Sequence, residues 1–181
     1  IKNGAVMQKN RGFTLIELLV TIAVLAIIAT MAAPAFGNLM AEQKLNGSTR
    51  ELVMAINQAK SQAALMKKSV GLCLSRTQSD NDFTKIECAT ATVPEYTATN
   101  PGPPVVPVLS NAEKAEVIKS RIISVQIDAG VTIGSTSATS ILLSDIGSTS
   151  AAQTFNFCKS GKQKTISVSK LGIVSQTSGT C

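Results

Sequence analysis

The stretch from Phe13 to Phe36 runs for 24 residues and carries a single charge, Glu17. As a helix it is long enough to cross a hydrocarbon core of about 30 Å. A chain containing it folds only if this stretch lies in lipid or is covered by other apolar surface. A carboxylate inside such a stretch is costly, and by default it marks a function with a partner charge nearby. What stands opposite Glu17 therefore decides what the chain does.

Lys2, Lys9 and Arg11 precede the apolar run without any acid, so the first twelve residues are expected to stay cytoplasmic. Two plainer readings compete. A secretory signal peptide would use Ala33-Pro34-Ala35 as its cleavage site, but the run exceeds the usual apolar length, contains a glutamate and places proline inside the site. A simple membrane anchor explains the length but not Gly12-Phe13-Thr14-Leu15-Ile16-Glu17 as a set.

The chain has 181 residues, 17 basic and 11 acidic; without the first twelve, 169 remain and the balance falls to 14 − 11 = +3. There is no His and no Trp. Lack of histidine removes Ser-His-Asp and Cys-His catalysis and most zinc sites. No catalytic residue, cofactor, metal or small-molecule ligand is expected, and the chain does not read as an enzyme. Cys73, Cys88, Cys158 and Cys181 show no Cys-x-x-Cys spacing, which argues against metal and thioredoxin-type chemistry. Outside the cytoplasm four cysteines read as two disulfides. Three pairings are open, and we favour the local one, Cys73–Cys88 with Cys158–Cys181, each loop closure contributing roughly 3 kcal/mol.

Beyond Pro34 the pattern turns amphipathic. Leu45, Thr49, Leu52, Ile56, Ala59, Ala63 and Met66 recur at spacings of four and three, one face of a helix. Glu42, Arg50, Gln58, Lys60 and Lys67 mark the opposite face. A helix from Phe13 to about Lys67 would extend about 80 Å. Val70–Leu74 then reads as a strand. Residues 75–116, with Asn100-Pro101-Gly102-Pro103-Pro104 at their centre, read as an exposed loop insertion. Further strands are predicted at Arg121–Ile127, Val131–Ile133, Ile141–Leu143, Thr154–Cys158, Lys164–Ser169 and Gly172–Gln176.

Lys9-Asn10-Arg11-Gly12-Phe13-Thr14-Leu15-Ile16-Glu17-Leu18 resembles the leader junction of type IV pilins and type II secretion pseudopilins. The resemblance implies cleavage by a prepilin peptidase between Gly12 and Phe13 and N-methylation of Phe13. It also implies that Glu17, fifth in the mature chain, sets assembly register by pairing with the amine of a neighbouring subunit. Pro34 falls where pilins commonly kink the helix, and a disulfide locking a carboxy-terminal segment is common among them. Translation from Ile1 or from Met7 stays open, Met7 giving a leader of ordinary length.

Ala55…Gln58-Ala59-Lys60-Ser61-Gln62-Ala63…Lys67-Lys68-Ser69-Val70…Leu72-Cys73 is similar to the helix-to-strand junction of the GspH/FimT/FimU group, and residues 155–174 resemble its closing strands. DNA-binding members carry Gly-Arg-x-Arg where this chain has Gly172-Ile173-Val174-Ser175, so both arginines are missing. Lys159, Lys162, Lys164 and Lys170 lie in an acid-free stretch and could meet phosphate, but no aromatic platform accompanies them. DNA contact is the less favoured reading.

These readings converge on an α+β pilin fold: a long amino-terminal helix, its first half membrane-spanning, packed on an antiparallel β-sheet head with two disulfides. The expected divisions are a leader at 1–12, a transmembrane or fibre-core half-helix at 13–36, an amphipathic half at 37–68 and a head at 69–181. The resemblance implies a FimU-like minor pilin that primes pilus assembly in a tip complex. Its alternatives are the type II secretion pseudopilin H and a DNA-binding minor pilin. Implied partners are other minor pilins, the major pilin, the prepilin peptidase and the inner-membrane assembly platform. The head would lie in the periplasm before assembly and in the fibre afterwards.

Overall fold

In the computed structural model, residues 13–75, 85–99 and 107–181 are described, apart from the side chains of 33–35. In chain order the elements are α1 (Leu15–Met66), β1 (Val70–Ser75), α2 (Lys85–Thr92), α3 (Pro94–Thr97), α4 (Asn111–Ser120), β2 (Ile122–Gln126), β3 (Thr132–Ile133), β4 (Ser140–Leu143), β5 (Gln153–Lys159), β6 (Lys162–Val168) and β7 (Val174–Thr180). The chain divides after Leu39 into two units, each with its own internal contacts.

In the first unit every described side chain from Phe13 to Leu39 is exposed. In the second, the predicted stripe of α1 is the one that sinks: Leu45, Thr49, Leu52, Ile56, Ala59 and Ala63 are buried, and Met66 packs at the margin. The Thr49 hydroxyl is satisfied within the helix, donating to the Leu45 carbonyl at 2.8 Å. Two residues assigned to the opposite face of α1 have partners in the head. Lys60 is half-buried and donates to the Gly172 carbonyl, and Glu42 pairs with Lys162 at 2.7 Å. Long polar side chains reach around a helix to partners that a face assignment does not capture.

The stripe packs on two sheets, ordered β2-β1-β4 and β3-β5-β6-β7. The second is antiparallel throughout, with Phe155 opposite Ile166 and both fully buried. In the first, β1 pairs antiparallel with β4 but parallel with β2, Gly71 opposite Ile122. All six β1 residues are buried, because neighbours flank both its edges and helices cover both faces. Leu72 and Leu74 face the α1 side, whereas Cys73 joins Cys88, Ala89, Val93, Val117 and Ile122 in a second cluster. At Gly71 a β-carbon would run into the Thr92 side chain of α2, so glycine permits the close approach.

The reading of 75–116 as a loop is corrected. Residues 85–92, 94–97 and 111–120 are helical, while the Asn100–Pro104 centre lies outside the described residues. A parallel pair needs a crossover connection, and this segment is the crossover from β1 to β2. The signal for α4 stands in the sequence as a capping box. The Ser110 hydroxyl accepts from the Glu113 N–H, and the Glu113 carboxylate accepts from the Ser110 N–H at 2.8 Å. Short, threonine-containing α2 is preceded in the sequence by the same spacing, Thr84-Lys85-Ile86-Glu87, with Thr84 outside the described residues. Its burial against β1 and its disulfide hold it, so local propensity is a poor guide there.

Every predicted strand is present. The last is displaced from Gly172–Gln176 to Val174–Thr180, because Gly172 takes φ +76° in the preceding turn. Both disulfides join the cysteines paired locally: Cys73–Cys88 with Cα atoms 5.9 Å apart and Cys158–Cys181 with 6.1 Å.

Candidate functional site

The amino-terminal site is built by the first turn of α1. The Thr14 hydroxyl accepts from the Glu17 N–H at 3.3 Å, and the Thr14 carbonyl accepts from the Leu18 N–H at 3.2 Å. Thr14 thus caps the helix, and Thr14-Leu15-Ile16-Glu17 has capping-box spacing, a local signal the sequence reading passed over. Glu17 stands in the positive first turn of the helix dipole, which favours an anion. Among the described residues no cation lies against its carboxylate.

Around Glu17 the polar groups are few and internally satisfied. Thr21 donates to the Leu18 carbonyl and Thr30 to the Ile27 carbonyl, each at 2.8 Å. The window Leu15–Ala32 has a mean hydropathy of 2.5 and no buried residue. Phe13 is 79 % exposed, and Leu15, Ile16, Leu18, Ile22, Leu25 and Ile28 are also exposed. An apolar surface this continuous requires cover by lipid or other helices. Pro34 lies inside α1, where its missing N–H leaves the Thr30 carbonyl without its intrahelical donor. Gly12 is outside the described residues.

The four lysines lie elsewhere. Lys159 and Lys162 face one another across the β5–β6 turn, and Lys164 follows on the same side of β6. Lys162 is paired with Glu42 at 2.7 Å, Lys159 donates to the Gly130 carbonyl at 2.5 Å and Lys164 to the Ser178 hydroxyl at 2.8 Å. Lys170 is exposed in the turn before β7. Three of the four are therefore engaged with the protein's own groups.

The carboxylates beside them respond. The hydrogen bond from Lys162, then its charge, holds Glu42 below the usual glutamate value. Asp128 is lowered first by the Gly130 N–H, then by Lys44 and Lys159, with Lys44 at 3.4 Å. No group of three or more metal-ligating side chains occurs among the described residues.

Comparison with known proteins agrees with this arrangement. Residues 7–33 match the prokaryotic N-terminal methylation motif, and residues 48–172 match the model for type II transport protein GspH. A stretch of 56 residues is 41 % identical to fimbrial protein EcpB of Eikenella corrodens, covering 28 % of this chain and 35 % of that protein. The chain thus matches about a third of the length of this curated relative. No solved structure matches.

An exposed apolar helix opening on a methylation motif, followed by a disulfide-bonded α+β head, defines a type IV pilin-like protein of the GspH/FimT/FimU type. The chain belongs to the type II transport protein GspH family, whose model spans 125 of its 181 residues.

Proposed function

We propose that the protein is a minor pilin that primes pilus assembly within a tip complex, joining other minor pilins and nucleating the major pilin. The observation that carries this is Glu17, the one charge from Phe13 to Phe36, in an exposed apolar helix segment where no cation among the described residues lies against it. Prepilin peptidase cuts between Gly12 and Phe13 and methylates the new amine. That amine lies four positions from Glu17. When Phe13–Phe36 segments of several subunits pack side by side with a stagger, the amine of one reaches the carboxylate of another. An unpaired charge in such surroundings is strongly penalised, so the pairing selects the axial register. Before assembly the same segment holds the protein in the inner membrane with its head in the periplasm.

A second reading, a pseudopilin of type II secretion, is favoured by the long match to the GspH model. It uses the same amino-terminal mechanism and differs in the partners.

Amino-terminal sequencing and intact mass of protein from cells test the processing, with methylated phenylalanine expected in the first cycle. Glu17→Ala should leave cleavage intact and abolish fibre incorporation. Incorporation at the normal level would remove the registration role. Deleting the gene should abolish surface fibres if the pilus reading holds, whereas loss of secretion with fibres intact would favour the pseudopilin.

A further inference from the structure

Among the described residues β7 is an edge strand whose outer side pairs with no other strand. The Cys181 N–H donates to the Gly161 carbonyl at 3.1 Å, and the Ser169 N–H to the Ile173 carbonyl at 2.9 Å. Alternation between these fixed points assigns the odd-numbered residues of β7 to β6. Val174, Gln176, Ser178 and Thr180 therefore direct their N–H and C=O groups away from the sheet. The last three of these residues are exposed.

Proteins usually blunt such an edge with charge, proline, a bulge or short length. Val174–Thr180 contains no charge and no proline and is seven residues long. The opposite edge of the same sheet, β3, has two residues. The strand is also held at both ends. Cys181 is bonded to Cys158 on β5, and the turn before β7 is fixed by the Lys60 contact to the Gly172 carbonyl. An edge fixed in this way loses little freedom when a further strand joins it.

The surroundings specify the charge of that strand. No acid occurs from Phe155 to Cys181. Lys162 is neutralised by Glu42, and Lys159 lies near Asp128. Lys164 reaches onto the edge strand itself, at the Ser178 hydroxyl, while its charge also acts on Glu42, and Lys170 is exposed at the start of the strand. Neither forms an ion pair among the described residues. Leu171 and Ile173, 78 % and 64 % exposed, stand beside Lys170 and offer apolar contact.

We infer that the free edge of β7 receives an extended, acidic segment of a partner polypeptide, which adds to the β5-β6-β7 sheet as a further strand. Backbone pairing supplies the affinity of this mode, and the side chains flanking the edge supply its selectivity. The inference concerns the head alone and stands apart from the pairing of Glu17.

The test uses the full chain in detergent micelles, followed by backbone amide resonances. The probes are a seven-residue peptide of alternating valine and glutamate and its counterpart with lysine for glutamate. The acidic peptide should shift and protect the amides of Gln176, Ser178 and Thr180, with Ser175 and Thr177 little changed. The lysine peptide should bind about ten-fold more weakly. Gln176→Pro should abolish binding while leaving the sheet intact, since the lost N–H points away from β6. Should that variant misfold, Lys164→Gln with Lys170→Gln provides the second measure, weakening the acidic peptide to the level of the basic one. The inference fails if neither peptide moves those amides or if both bind equally. It also fails if a duplex oligonucleotide binds the lysines and excludes the acidic peptide while the edge amides stay unchanged.

Discussion

Glu42 and Asp128 show how single residues set the pH behaviour of the head. Each is an acid held below its ordinary value by N–H donors and lysines, Glu42 chiefly by Lys162 and Asp128 chiefly by Gly130. A lowered folded value means that the contribution is complete above the unfolded values, 4.5 and 3.8, and is lost as pH falls through the lower folded ones. The chain has no histidine, so no histidine titration acts between about pH 5 and 8. Thermal melts of the full chain should therefore give a plateau over that range and a fall in Tm in more acidic buffer. Lys162→Gln should make the acid-side fall shallower by removing the Glu42 partner. At this scale the sequence was informative for residues whose role is fixed by covalent or apolar chemistry. The cysteine pairs and the buried stripe from Leu45 to Ala63 are where spacing placed them. It was uninformative for Glu42 and Lys60, whose partners lie 120 and 112 positions away.

Among the elements, β1 carries the strictest packing. It is the middle strand of its sheet, with α1 on one face and α2 on the other, and Gly71 lies where α2 comes closest. Gly71→Val adds side-chain atoms where even a β-carbon meets Thr92, so α2 must shift. The expected cost is about 1–3 kcal/mol, read from urea unfolding. Circular dichroism should show the rest of the fold retained. The strands were legible because each is a short apolar or β-branched run between turn residues, as in Ile141–Leu143. The helices between β1 and β2 were not. Proline and glycine in the middle of that segment dominated the reading and obscured the Ser110–Glu113 box at its end. The parallel pairing of β1 and β2 was equally hidden, since strand direction follows from the path of the connection and leaves no mark in the strand itself.

For the whole molecule, the two disulfides act on different parts of the head. Cys73–Cys88 ties the crossover to the central strand across 15 positions, and Cys158–Cys181 closes 23 positions around β6 and β7. Cys73→Ala with Cys88→Ala should lower unfolding free energy by about 3 kcal/mol, the loop-closure contribution for this length. Cys158→Ser with Cys181→Ser removes a loop closure of similar size and should in addition raise amide exchange along β7, measured at Thr177 and Gly179, where the strand loses its terminal anchor. The parallel pair also has a temporal consequence. The central strand cannot be completed by its neighbours in the chain: it must wait for Ile122–Gln126 and Ser140–Leu143 to arrive from about fifty and seventy positions downstream. Distant pairings of this kind form late. The first sulfur–sulfur link, once made, holds Lys85–Thr92 over the waiting strand and screens its apolar side from unwanted neighbours. A head kept reduced during refolding should therefore aggregate where the oxidised one recovers, as read from light scattering after dilution from urea.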